Sequence, residues 1–187
     1  MKVLLIPEDF RKDGFILQPL FDRLCAASGK PTTKVIVCRN PFLQGVTEAL
    51  KEERLREIVE RYPMIDVFIL CVDRHGIPTR QHRLRQLEKI FAAPSRVFLA
   101  VNAWEELETW VLAGLDLPRG WSWANIRQEV SVKERYFELL AQQRGVADGP
   151  GGGRKALGEE ASRRIQVIRQ KCPEDFDDIA NRLAAVI

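Results

Sequence analysis

The chain has 187 residues, 45% of them apolar and 29% charged, with a formal net charge of +3. A chain of this length buries one core, as a single domain or a domain with an appendage, and so mild a charge does not by itself point to nucleic acid. The composition is that of a soluble globular protein, and its longest apolar runs fall well short of a membrane span.

Lys2 is followed by four apolar residues before Pro7 and Glu8, too few for a signal peptide. Val3–Ile6 reads as a short buried strand, closed by Pro7-Glu8-Asp9. Phe15, Ile16, Leu20, Phe21 and Leu24 recur at helical spacing, and Pro19 among them implies a kink or a late helix start. Asp13 reads equally as the N-cap of that helix. Thr33–Cys38 is the second strand. Asn40-Pro41 marks a loop, and Val46–Tyr62 is an amphipathic helix carrying Leu50, Leu55, Ile58 and Val59.

The third strand, Val67–Val72, has no polar alternation and suits burial on both faces, as in a parallel sheet. It ends in Asp73-Arg74-His75-Gly76. A helix over Thr79–Phe91 and a strand over Arg96–Val101 follow. Asn102 then reads as a cap with Glu105 as its capping-box partner, and the helix after it runs through Leu107, Trp110 and Val111 to Gly114. The βαβαβαβα order predicts a mostly parallel sheet with helices on both faces over residues 1–114.

Beyond Gly114 the alternation fails, and residues 115–187 read as a helical extension packed on that core. Leu115–Asn125, with Pro118, Gly120, Trp121 and Trp123, is an ordered aromatic loop whose tryptophans pack rather than stack on bases. Val132–Gln143 is a helix, and Asp148–Lys155 is irregular, with four glycines and a proline in eight residues. Leu157–Lys171 and Glu174–Val186 are the last two helices. Cys25, Cys38, Cys71 and Cys172 show no CxxC spacing, which argues against zinc and for a reducing, cytoplasmic setting.

Three acidic clusters fall at the carboxyl ends of predicted strands: Glu8 with Asp9, Asp73, and Glu105, Glu106 and Glu108. A parallel sheet brings such ends to one edge, where ligands of open α/β sheets bind. Gathered carboxylates repel one another unless a cation lies between them, and hard oxygen donors select Mg²⁺ or Mn²⁺. Taken singly, an Asp after a strand reads as a turn or cap residue and Glu105 as a cap, whereas Glu108, beside Leu107 and Trp110, is harder to read as surface; the joint placement is the signal. Glu106 and Glu108 stand roughly 200° apart on an ideal helix, so both reach one metal only if its first turn is irregular. His75, otherwise a solvated loop residue, lies two positions from Asp73. Arg80, at a helix start where the dipole disfavours a cation, suggests an anion nearby, with Arg83 a turn further on. Residues 74–89 are locally basic. Lys133 and Arg154 are further candidates for phosphate contacts. The Gly149–Gly153 run reads as either an anion cradle or a flexible linker.

The stretches PEDFRKDGFILQPL, NPFLQGVTEAL, YPMIDVFILCVDRHG, EELETWVLAG, VKERYFELL and GGGRKAL resemble a family of small bacterial Toprim-like proteins, itself a domain of unknown function. That family is related to the Toprim domain of the overcoming-lysogenization-defect (OLD) nucleases, of topoisomerases and of primases. The resemblance implies an open, mostly parallel Toprim-like sheet and Mg²⁺-dependent phosphodiester chemistry on nucleic acid. Glu8 would be a metal ligand and general acid/base, Asp73 the first aspartate of a pair, and Glu106 and Glu108 the later acidic motif. Lys133 and Arg154 match basic positions in the extension. His75 stands where the family has its second aspartate, which favours Mn²⁺ or Zn²⁺ over Mg²⁺, weakens a second metal, or marks a copy that has lost activity. The resemblance also implies phage defence and a separately encoded ATPase; a second copy of the chain is a further candidate partner.

These readings converge on a metal-dependent nuclease in which Glu8, Asp73 and Glu108 hold one or two ions and Lys133, Arg80 or Arg154 offsets developing charge. Two rivals share the fold: a non-catalytic module binding nucleic acid or a partner ATPase, and a hydrolase or phosphotransferase acting on a small phosphorylated molecule.

Overall fold

A computed structural model describes residues 1–187. Strands β1 (Lys2–Pro7), β2 (Lys34–Val37), β3 (Val67–Asp73) and β4 (Val97–Ala103) form one sheet in the order β2-β1-β3-β4, with every pair parallel. The fold is α/β. The unbroken apolar runs follow from burial on both faces. Val3, Leu5, Val67, Ile69, Cys71, Leu99 and Val101 enter one core, and Leu4, Ile6, Phe68, Leu70, Val72, Phe98 and Ala100 the other.

Helices α1 (Gly14–Ala27) and α5 (Glu108–Gly114) cover the first face. The short α2 (Val46–Ala49), α3 (Glu52–Arg61) and α4 (Arg80–Phe91) cover the second. Beyond α5 come α6 (Trp123–Gln128), a π-turn (Lys133–Phe137) leading into α7 (Glu138–Gln143), α8 (Arg154–Ser162), α9 (Ile165–Lys171), a second π-turn (Pro173–Asp177) and α10 (Asp178–Ala184). Phe137, Leu157, Ala161, Ile168 and Phe176 from this region join the same core as the strands. No helix is long and apolar enough to cross a membrane.

Several boundaries differ from the sequence reading. The helix expected over Val46–Tyr62 breaks because Lys51 is extended (φ −78°, ψ 129°), and the carbonyl of Leu50 is taken by the Arg83 guanidinium at 3.3 Å. Arg83, with Glu52 as its second partner at 3.1 Å, is thus a tie between α3 and α4. The helix expected over Leu157–Lys171 turns at Arg164 (φ −113°, ψ 40°), so that α8 lies on α1 and α5 while α9 meets the second π-turn. Asn102 is no cap: it still pairs with Val72 in the sheet, and α5 starts only at Glu108. The aromatic loop holds a helix from Trp123, capped by Ser122, whose hydroxyl accepts from the Asn125 N–H at 3.1 Å. Pro19 sits inside α1 without delaying its start. Trp121 packs edge-on against Tyr136 with ring centroids 5.0 Å apart, and Trp123 lies against the Lys171 ammonium. All four cysteines are buried free thiols.

Candidate metal centre

The strand order decides where the site lies. From β1 the chain goes to β2 on one side and then to β3 on the other, which opens a crevice between the carboxyl ends of β1 and β3. Glu8 directly follows β1, and Asp73 is the last residue of β3. Glu8, although 65 positions from Asp73 in the chain, accepts the Asp73 backbone N–H on Oε1 at 2.8 Å. Asp73 Oδ1 accepts the Leu107 N–H at 2.9 Å, which turns Oδ2 toward His75 Nε2 at 3.6 Å. One donor atom from each of Glu8, Asp73 and His75 lies within 4.8 Å of the other two.

The backbone around these groups is held in an uncommon form. His75 and Glu105 both have left-handed φ (48° and 65°), a conformation that costs L-residues energy and persists where the surroundings over-determine it. The Glu105 carbonyl accepts the N–H groups of Arg74 and His75 at 2.9 and 3.1 Å, its Oε2 accepts from Gly76, and its Oε1 pairs with Arg74 at 3.2 Å. Glu105 is therefore a brace for the loop that presents His75, a role local spacing does not announce.

Glu106 and Glu108 line the same hollow, a cavity of about 490 Å³ that also takes in Asp13, Lys12, Arg11, Lys133 and Arg154. Glu106 precedes α5 rather than lying on it, so the 200° separation of an ideal helix never arises. Its carboxylate accepts the Lys133 N–H at 2.6 Å, while the Lys133 ammonium pairs with Glu134 at 2.8 Å near the surface. Glu108 is buried against the guanidinium of Arg154, itself buried, which also donates to the Gly151 carbonyl at 2.7 Å. Arg80, also buried, donates to the Asp73 backbone carbonyl. Expected as open cations for a substrate, Arg80 and Arg154 are instead committed to internal partners and hold two of the acids in place.

Asp13 sits at the start of α1 but does not cap it; its side chain turns back to accept the Asp9 N–H at 2.9 Å. Burial raises its pKa to about 7 against the pull of that hydrogen bond, and the charges of Glu108 and Glu8 push the same way. Burial likewise raises Glu106 to about 7. It lifts Asp73 well above the usual carboxylate range, with Glu108, Glu8 and Asp13 adding to the effect. It raises Glu8 as well, against the Asp73 hydrogen bond and the Arg80 charge. His75 is shifted down by burial and by Arg80, which favours the neutral, ligating imidazole.

Burial is the largest cause of these raised carboxyls, with mutual repulsion adding to it at Asp73 and Asp13, and a cation placed between them would favour their charged forms. Two carboxylates and an imidazole with donor atoms this close fit a divalent ion, and the imidazole favours Mn²⁺ over Mg²⁺. Of the sequence-predicted site residues, Glu8, Asp73, His75, Glu106, Glu108, Lys133 and Arg154 meet at the hollow, and Arg80 lies behind it. Asp13 and the pair Arg11 and Lys12 belong to the same hollow. Their signal in the sequence was their place in the short loop between β1 and α1 that begins with Glu8. No family model, curated protein or solved structure compared with the chain matches it.

Proposed function

We propose that the chain is a divalent-cation-dependent phosphodiesterase acting on nucleic acid, a Toprim-like nuclease in keeping with its sequence resemblance. The observation that supports this reading is the convergence of Glu8, Asp73 and His75, distant in sequence, within one ligand shell at the switch point of the sheet. A cation bound there, Mn²⁺ or Mg²⁺, supplies Lewis acidity at a phosphoryl oxygen and lowers the pKa of water. The chain's own residues do the rest. Glu8, Asp73 and His75 would hold the cation between their donor atoms, and burial, which raises the Glu8 carboxyl, disfavours its charged form unless a cation offsets it. Lys133, half-buried at the rim, offsets charge on the phosphate. Arg80 and Arg154 hold Asp73 and Glu108 in position. The same reading places the protein in the cytoplasm, in phage defence, with a separately encoded ATPase or a second copy as partner.

The test is cleavage of labelled DNA and RNA, single- and double-stranded, with Mn²⁺, Mg²⁺ or chelator. The wild type is compared with Asp73→Asn and Glu8→Gln. Metal-dependent cleavage that falls by about 100-fold or more in both variants is the expected result, in line with losing a charge made to act at the transition state. Equal rates in all three proteins would remove these carboxylates from the chemistry. A second reading, hydrolysis of a small phosphorylated molecule, is favoured by the size of the hollow, which falls in the range of small-ligand pockets. Turnover of nucleotides with polynucleotides left intact decides for it.

A further inference from the structure

A larger cavity, about 900 Å³, runs along the open edge of β2 beside α1. It meets the acidic hollow at Arg11, which lines both. We infer that this groove guides a single nucleic-acid strand into the hollow, an inference that rests on the phosphodiesterase reading.

Three observations carry it. The first is charge. Arg11, Lys34, Arg39 and Lys155 line the groove, whose one lining acid, Glu159, pairs Lys155 at 2.5 Å, while Arg11 pairs with Asp9 at 3.0 Å. Lys34 and Arg39 are exposed and stand in no ion pair, so they are free to meet phosphates. The second is the presence of flat apolar faces among these cations. Phe10, Phe15 and Tyr62 are partly exposed along the groove. Phe10 is braced edge-on by Phe42 at 5.4 Å, and the Arg11 guanidinium lies 4.3 Å over the Phe42 ring. Cations that follow a backbone, interleaved with aromatic platforms, bind single strands, whose base faces a duplex would hide. The third is position. Phe10 and Arg11 follow Glu8-Asp9 in the loop after β1, and Arg11 lines both cavities, so a strand lying on them runs to the rim of the hollow.

The other occupant such an edge invites is an extended peptide adding a strand to β2. The edge is poorly suited to it. The outward carbonyl of Val35 is already taken by the Gln18 side chain at 3.0 Å, and β2 is only four residues long.

The test uses full-length protein carrying Asp73→Asn, freed of metal, so that binding is read without cleavage. Anisotropy of a labelled single strand of about 12 nucleotides, within the usual site sizes, is measured across salt concentration. Adding Lys34→Glu and Arg39→Glu, both at exposed positions, should weaken binding by about tenfold or more. It should also flatten the salt slope by about 1.4, two phosphates at roughly 0.7 each. Phe10→Ala should weaken binding by about fivefold or more and leave the slope unchanged. Binding indifferent to Lys34 and Arg39, duplex bound as tightly as single strand, or an extended peptide bound at β2 where no single strand binds would overturn the inference. The two readings fail separately. Cleavage that needs Asp73 but ignores Lys34 and Arg39 removes the track alone. Binding through Lys34 and Arg39 with no metal-dependent cleavage by the wild type leaves the track and removes the chemistry.

Discussion

Replacing Asp73 by Asn should make the metal-free protein more stable at neutral pH and deaf to divalent cations. Asn keeps an oxygen for the Leu107 N–H, so the local hydrogen bond survives. What it removes is a carboxyl that at neutral pH must either carry a charge facing Glu8, Glu108 and Asp13 or hold a proton that the unfolded chain would release. The sign follows from linkage. Asp73, Asp13 and Glu106 all have folded-state pKa values raised above their unfolded ones, so the native state keeps protons that the unfolded state has released. For Asp13 and Glu106 that stabilising contribution is complete below about pH 4 and is lost as pH rises to about 7, and for Asp73 it is lost as pH rises through its own raised pKa. For Asp13 alone, a rise from 3.8 to about 7 corresponds to at most about 4 kcal/mol, at 1.36 kcal/mol per tenfold. The carboxyls share one field, so relieving one of them should recover about 1–3 kcal/mol. In a domain of this size that is roughly 3–10 °C in Tm. Mn²⁺ at a hundred times its Kd should stabilise the wild type by about 2.7 kcal/mol and the Asn protein by far less. Calorimetric melts of chelator-treated protein at pH 5 and 7.5, with and without Mn²⁺, measure all four corners. Equal destabilisation of the variant at both pH values, with equal Mn²⁺ shifts in the two proteins, would refute the shared-charge account.

Other perturbations have equally definite outcomes. Arg154→Met leaves Glu108 as a buried, uncompensated charge and should cost about 3–5 kcal/mol in denaturant melts, with Glu108→Gln in the same background restoring much of it. Asp175 accepts the Trp104 N–H at 2.7 Å and the Trp110 indole N–H at 2.8 Å, and pairs with Arg127 at 3.0 Å. Asp175→Ala should cost about 3 kcal/mol or more and also weaken Mn²⁺ binding by calorimetry, because the loop it anchors carries Glu105 and Glu106. At Gly114 an added Cβ would stand 2.8 Å from the Ala161 carbonyl oxygen and 2.9 Å from its Cβ, so Gly114→Ala should cost about 1–3 kcal/mol by wedging α5 from α8, read as a lower denaturant midpoint. Mn²⁺ affinity should fall as pH drops below 7, with proton release on binding seen as buffer-dependent heat.

Much of this protein is written in local pattern. Strands buried on both faces need runs such as Val67–Val72, and an acid closing such a run can be read where it stands, as with Glu8 and Asp73. Parallel βα units then force every strand's carboxyl end to one edge, so the expectation of a common acidic edge followed from chain order and chirality alone. Helix breaks were not legible, because the extended Lys51 and the turn at Arg164 are set by what α3, α8 and α9 must pack against.

The placement of β1 between β2 and β3 is a long-range pairing, and no local preference encodes it, yet it brings Glu8 to Asp73. Burial, too, is a property of the assembled chain. It turned Arg80 and Arg154 from free cations into braces, made Asp13 part of the hollow rather than a cap, and raised the carboxyls around it. Residue types and their order settled which groups are present. Their charge states and their partners depend on desolvation and on neighbours that only folding brings within a few ångströms.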